Sequence, residues 1–354
     1  MLVRLLLFIV CVSAAAAGAP FSSLYFFGDS LTDTGNVLKA TSTLSKYTFG
    51  LVPQHPTAPY EGGRFTNGPV WAEHVAARLG HAGDAGPAGM SMGAFGQTGG
   101  AGNNYAIGGA RTGDSGALGF LDWLMPTGIS RQVEFYLGRT EGVADPGGLF
   151  FLLGGGNDLR DAARIADPYQ RMLAAQQAGA NIAYSVRDLY LAGARQFVLI
   201  NSPDIGLLPE TIGDGLTEAG TDAAVQFNTW FGLYGDYLRY SVPEFSLESF
   251  DLFGLHHELI ADYGAGAVQA CKSNPSTCDQ TLFFDSVHPT ARVHEEFGNR
   301  LADQILGNQM LETSSQQSNY ASSIQVQTPE PSTTVLVLSA GIVLAIVRRR
   351  SANC

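Results

Sequence analysis

Short, unbroken apolar runs alternate along this chain with longer stretches in which apolar positions recur every three or four residues. The runs Ser23–Phe27, Gly148–Leu153, Gln196–Ile200 and Phe245–Phe250 predict strands. Amphipathic spacing predicts helices over Pro69–Leu79, Ile129–Leu137, Pro168–Leu191, Asp222–Tyr240 and His294–Leu306. Within the third of these, Ala174, Ala178, Ile182, Ser185 and Leu189 mark one helical face. Strands this apolar are buried on both sides, and their alternation with helices predicts a mainly parallel sheet in a three-layer α/β/α sandwich. Ligands of such sheets sit outside the carboxyl ends of the strands. Ser30 follows the first strand and Asn157 the second, so both fall on that rim.

The two ends read as addresses. Met1–Ala19 carries one basic residue, Arg4, then the apolar run Leu5–Val12 and an alanine-rich stretch. That is the layout of a secretory signal, and its apolar run is too short to span a bilayer. The folded domain is then expected over residues 20–311, and a polar linker over 312–328. Residues 329–354 hold Pro329-Glu330-Pro331, an apolar run Thr333–Val347 and Arg348-Arg349-Arg350. As a helix that run reaches about 22 Å, short of the hydrocarbon core of about 30 Å. The tail resembles the PEP-CTERM sorting signal of Gram-negative bacteria. The resemblance implies an exosortase-type protease as partner, transient inner-membrane anchoring, and a final place in the periplasm, on the cell surface or outside the cell. An ordinary single-span tail anchor is the alternative.

Of the four cysteines, Cys11 and Cys354 lie in the terminal segments, leaving Cys271 and Cys278 with a polar loop between them. In an oxidising compartment that pair is expected to form a disulfide, and without further cysteine or histidine partners it makes a poor zinc site. The formal charge of −12 argues against a nucleic-acid partner, which would need a basic face. Gly80–Gly119 is dense in glycine but contains no phosphate-binding loop motif, and reads as a long surface loop leading into the site.

The candidate chemistry lies at opposite ends of the domain. Gly28-Asp29-Ser30-Leu31-Thr32-Asp33-Thr34-Gly35-Asn36 follows the first strand, and Asp285-Ser286-Val287-His288 lies far downstream. A serine hydroxyl needs a base to become a nucleophile, and the base needs a third group to orient it. Ser30, His288 and Asp285 supply the three types. Two more segments fall between them: Asn103-Asn104-Tyr105-Ala106-Ile107-Gly108-Gly109-Ala110-Arg111-Thr112 and Gly154-Gly155-Gly156-Asn157-Asp158. Together with Gly63-Arg64-Phe65-Thr66-Asn67-Gly68 and Asn201-Ser202-Pro203-Asp204, these blocks are similar in kind and order to those of the GDSL, or SGNH, hydrolase family.

That resemblance spans nearly all of residues 22–310 and implies a flavodoxin-like SGNH-hydrolase fold. It implies a catalytic triad of Ser30, His288 and Asp285. It also implies an oxyanion hole made from the Ser30 N–H, the Gly109 N–H and the Asn157 side chain, with adjacent Gly108 as an alternative to Gly109. Such a site needs neither metal nor organic cofactor. Asp29 is expected to brace the turn, and Arg111 to brace a loop or touch substrate; adjacent His256 and His257 make an improbable metal pair. The expected activity is cleavage of carboxylic esters, either small-molecule or lipid, by an exported serine esterase or lipase. A carbohydrate O-acetylesterase acting on acetylated glycan in exopolysaccharide and a catalytically idle matrix-binding module are the alternatives. The run Leu118–Met125 suits an acyl pocket or the core.

Overall fold

A computed structural model of the protein describes residues 21–93, 96–116 and 127–319, with side chains as far as 308. The signal segment, the tail with its apolar run, and Leu118–Met125 lie outside the described residues. Four strands, β1 (Leu24–Gly28), β2 (Leu149–Leu153), β3 (Gln196–Ile200) and β4 (Ser246–Phe250), form a parallel sheet in that spatial order. Gly28, Leu153, Ile200 and Phe250 lie in register, so the four carboxyl ends make one level rim. Each strand lies within a residue of its expected bounds, although only the first three are apolar runs. β2, LFFLL, is buried throughout, whereas the edge strand β4 alternates exposed and buried positions.

Side chains alternate between two faces, and each face has its own cover. Phe26, Phe151 and Phe250 point to one side, where helices α2 (Trp71–Arg78) and α9 (Ala291–Asn319) pack together. Trp71 meets Phe26, Phe151 and Phe297 there, with ring centroids 5.0–5.9 Å apart. Phe151 is fully buried, and truncating it to alanine would cost about 3–5 kcal/mol. On the other side Tyr136 of α3 (Ile129–Arg139) packs against Tyr25, Phe27 and Phe150. The paired helices α5 (Pro168–Leu191) and α7 (Thr217–Ser241) continue that layer. The molecule is therefore the three-layer sandwich that the periodicity predicts. α5 starts at Pro168 because Pro is favoured in a first helical turn and Asp167 accepts the N–H groups of Tyr169 and Gln170.

The structure departs from the sequence reading in several places. Helices α1 (Asn36–Tyr47), α4 (Gly156–Ala162), α6 (Pro209–Gly213) and α8 (Leu252–Tyr263) were not anticipated. α7 begins at Thr217 rather than Asp222, and α9 continues past Leu306 into the polar run expected to be linker. Gly80–Gly119 is not a plain surface loop. Asn103–Ile107 runs along the open edge of β1, with hydrogen bonds Phe26 N to Asn103 O (3.1 Å), Tyr105 N to Phe26 O (2.8 Å) and Ile107 N to Gly28 O (3.1 Å). The contact at Phe26 and Asn104 is parallel. The segment thus occupies the place of a second strand on the far side of β1, as the flavodoxin-like order requires. Its glycines serve close approach: a Cβ on Gly100 or Gly102 would run into the backbone of Pro87 or Gly86. Among the described residues no helix is long and apolar enough to cross a membrane.

Candidate active site

The chain leaves β1 toward the edge segment and later returns through β2, so the switch point of the sheet lies between β1 and β2. The site sits there. Beyond Gly28 the backbone folds into a tight turn in which Asp29 O accepts both Thr32 N and Asp33 N at 3.0 Å. Gly28 admits no side chain, because a Cβ would lie 2.5 Å from Leu153 O. Gln132 of α3 clamps the same residue, its amide bonding Gly28 N at 2.9 Å and Gly28 O at 2.8 Å. Below the turn, buried Asp33 accepts N–H groups from Gly35, Asn36, Val37 and Gly108. Asn36 and Asn104 stitch α1, the turn and the edge segment together through their side-chain amides.

Ser30 is therefore held on a rigid turn, nearly buried. Its Oγ lies 2.8 Å from His288 Nε2, although the two are 258 positions apart. His288 Nδ1 lies 2.8 Å from Asp285 Oδ2 and 3.0 Å from Oδ1. Asp285 Oδ1 also accepts the N–H groups of Val287 and His288, at 2.8 and 2.7 Å. Burial alone would raise the Asp285 carboxyl, but the imidazole beside it, the Tyr60 hydroxyl and the backbone N–H together hold it well below the usual carboxylate range. Asp285 is thus an anion aimed at the imidazole, which fixes a proton on Nδ1 and leaves Nε2 free to face the serine.

Asn157 follows β2 in the first turn of α4, a helix that the sequence reading did not include. Gly155, at φ 113°, makes the abrupt entry into the helix. The Asn157 amide is pinned at both ends: Nδ2 donates to Ala110 O at 2.9 Å, and Oδ1 accepts from Arg160 Nη1 at 3.1 Å. Arg160 is itself locked to Glu210 by two bonds of 2.7 and 2.8 Å. That leaves the second Nδ2 hydrogen of Asn157 without an acceptor among the described residues. The backbone distinguishes the two adjacent glycines. Gly108 N donates to Asp33 at 2.9 Å, while the N–H groups of Gly109 and Ser30 meet no acceptor among the described residues. Gly109 has φ 83°, and Gly108 faces the Phe65 ring.

The remaining candidates separate. Asp29 accepts Leu31 N at 3.0 Å, and burial pushes it up to about 6. Asp158, also pushed up to about 6 by burial, bonds Thr112 through both its N–H and its hydroxyl. Arg111 pairs with Asp161 and with Gly116 O, so it braces its loop. His256 is buried while half-exposed His257 lies 3.0 Å from Asp204, and the described residues hold no cluster suited to a metal ion. Cys271 and Cys278 are joined by a disulfide.

Sequence reasoning missed the residues that fix the histidine loop. The Phe65 ring lies 5.3 Å from that of His288. Thr66 Oγ1 donates to Pro289 O at 2.7 Å, and Asn67 Oδ1 accepts Ala291 N at 2.8 Å. The block Gly63–Gly68 thus grips the residues just after His288; its motif was visible, but not its purpose. Tyr60 gave no signal at all, yet its hydroxyl donates to Asp285 Oδ2 at 2.7 Å.

With this geometry in view, comparison with known proteins is decisive on one point. The family model for GDSL-like lipase/acylhydrolase matches residues 24–301. The chain belongs to that family. Among curated relatives, esterase EstA of Pseudomonas aeruginosa is 30% identical across 78% of this chain and 45% of its own length. The chain therefore spans about half the length of that relative. Phosphatidylcholine-sterol acyltransferase of Aeromonas hydrophila is 24% identical across 80% of this chain and 90% of its own. Among solved structures, the aryl esterase of M. smegmatis is 15% identical, with a TM-score of 0.41 over 80% of this chain and 98% of that one.

Proposed function

We propose that the protein hydrolyses carboxylic esters through an acyl-enzyme formed on Ser30. The observation that carries this reading is the chain of short contacts from Ser30 Oγ to His288 Nε2 and from His288 Nδ1 to Asp285, each 2.8 Å. His288 takes the hydroxyl proton as Ser30 Oγ attacks the acyl carbonyl, and Asp285 stabilises the imidazolium that results. The carbonyl oxygen becomes an oxyanion facing the N–H groups of Ser30 and Gly109 and the Asn157 amide. Collapse breaks the ester C–O bond, and His288 returns the proton to the leaving alcohol. Water then attacks the acyl-serine while His288 takes its proton, and collapse breaks the acyl C–Oγ bond as His288 returns that proton to Ser30 and the acid departs.

The test is Ser30→Ala. Loss of ester turnover with the fold retained supports the reading; turnover like that of the wild type removes Ser30 from the chemistry. A panel of short acetyl esters, long acyl esters and acetylated glycans on the same preparation sets the substrate class. Preference for the glycans would favour the O-acetylesterase alternative. The intact contact chain speaks against an idle binding module.

Export belongs to the same proposal. The signal-like Met1–Ala19 and the Pro-Glu-Pro tail support delivery beyond the inner membrane with removal of residues after about Pro331. Mass spectrometry that found Cys354 intact on released protein would overturn the processing step.

A further inference from the structure

Four donors converge on the Asp285 carboxylate, and one of them is foreign to its loop. Two backbone donors, Val287 N and His288 N, belong to the turn that carries the carboxylate and fix it only relative to that turn. The Tyr60 hydroxyl arrives from 225 positions away and shares Oδ2 with the imidazole, at 2.7 Å against 2.8 Å for Nδ1. It ties the acid to the N-terminal half of the domain, which also carries Ser30. We propose that Tyr60 is a positioning residue for ester hydrolysis: its phenolic proton holds Asp285 in the plane of His288 and sets how strongly that carboxylate attracts the imidazolium.

The surroundings of Tyr60 suit this task. Its ring packs edge-on against Phe284, the residue before the acid, centroids 5.3 Å apart, and against Phe65, 6.2 Å, whose ring also neighbours His288. The Lys272 ammonium lies 4.0 Å from the centroid of the Tyr60 ring. Lys272 follows Cys271, and both are held by backbone bonds, Cys271 N to Phe283 O at 3.1 Å and Lys272 N to Phe284 O at 2.7 Å. Cys271, Cys278 and Phe284 form one small buried cluster against which Tyr60 packs, so the disulfide supports the wall behind the phenol. Burial and the hydrogen-bonded Asp285 charge push the Tyr60 hydroxyl far above the ordinary tyrosine range, so it stays a donor through neutral pH. The other charged or titratable groups around this pair are Asp29, His55, Lys272, His294 and the Arg160–Glu210 pair. Changing the phenol leaves all of them in place.

The inference rests on the acyl-transfer reading of Ser30, His288 and Asp285, and its test keeps the two apart. Tyr60→Phe retains the ring and removes one donor. The freed lone pair makes Asp285 more basic, so it favours the imidazolium more strongly. The acid limb of the kcat/KM profile is expected to move up by about half a pH unit. The two backbone donors keep the carboxylate facing Nδ1, but with one anchor lost it samples a wider range of orientations, and kcat is expected to fall about tenfold with KM within twofold. Replacing Tyr60 by 3-fluorotyrosine strengthens the donor without disturbing the fold and moves the limb the other way.

An acid limb unmoved in both proteins overturns the assignment even if kcat falls, because a poorly packed ring would lower kcat without touching the profile. If Tyr60→Phe fails to fold, the fluorotyrosine protein decides alone. Ser30→Ala runs alongside: persistent turnover there removes the acyl-transfer reading itself, whereas an inactive Ser30→Ala with unmoved limbs removes only the role of Tyr60.

Discussion

Replacing Asn157 by alanine probes the proposed oxyanion donors. The amide has two hydrogens on Nδ2. One is committed to Ala110 O at 2.9 Å, and Oδ1 is oriented by Arg160 at 3.1 Å, so the second hydrogen has a fixed direction. Preorganised donors of this kind stabilise the transition state without reorganising, and removing one typically lowers kcat by about 10²–10³, or about 2.7–4 kcal/mol of barrier. The same substitution leaves Ala110 O unpaired, a stability loss of about 1–3 kcal/mol that the fold should survive. Arg160→Gln should fall between wild type and Asn157→Ala, since it frees the amide to rotate but does not remove it. The assay is steady-state hydrolysis of a chromogenic acetyl ester, with thermal melting to confirm folding. KM should change little, because the interaction belongs to the transition state. A kcat within threefold of wild type in a folded Asn157→Ala protein would refute the reasoning and make Asn157 a simple helix-start residue.

Two further outcomes follow from the same structure. Burial lifts the Asp29 carboxyl to about 6, above the value of about 4 for an unfolded aspartate, so the neutral form is favoured by the fold. Its contribution is fully present below about pH 4 and is lost as pH rises through about 6. Asp29→Asn should therefore match wild type at low pH and exceed it by about 2–3 kcal/mol at pH 8; parallel stability curves from denaturant titrations across that range would contradict this. Reducing the Cys271–Cys278 disulfide reopens a short loop and should lower stability by about 2–3 kcal/mol. Because that bridge backs Tyr60 and Phe284, ester turnover should fall with it; undiminished activity in the reduced, folded protein would sever the link.

What could be read from sequence depended on how local its cause was. β2 and β3 announce themselves because a buried parallel strand is apolar at every position. α5 was bounded correctly at both ends, since Asp167-Pro168 is a start signal written in adjacent residues. α1 was missed although Val37, Ala40 and Leu44 form its buried stripe, because threonines, serines and lysines fill the rest. α4 was hidden by the glycines before Asn157, which mimic a turn. Asn103–Ile107 lay unnoticed in a glycine-rich stretch because its edge pairing with β1 is a long-range event. The same holds in the site. The triad candidates were visible from residue type and order, and the proposal of Gly109 rather than Gly108 gains support from Asp33, which takes the Gly108 N–H. Tyr60 could not be found by any spacing rule, because its partner is 225 residues away.

The central claim is that Ser30 carries the acyl group. Incubating the protein with a fluorophosphonate ester and mapping the adduct by peptide mass spectrometry tests it most directly. One phosphonyl group on the peptide containing Ser30, appearing in step with loss of hydrolysis and absent from Ser30→Ala, is the predicted result. Complete inhibition with the adduct on any other residue would contradict the account.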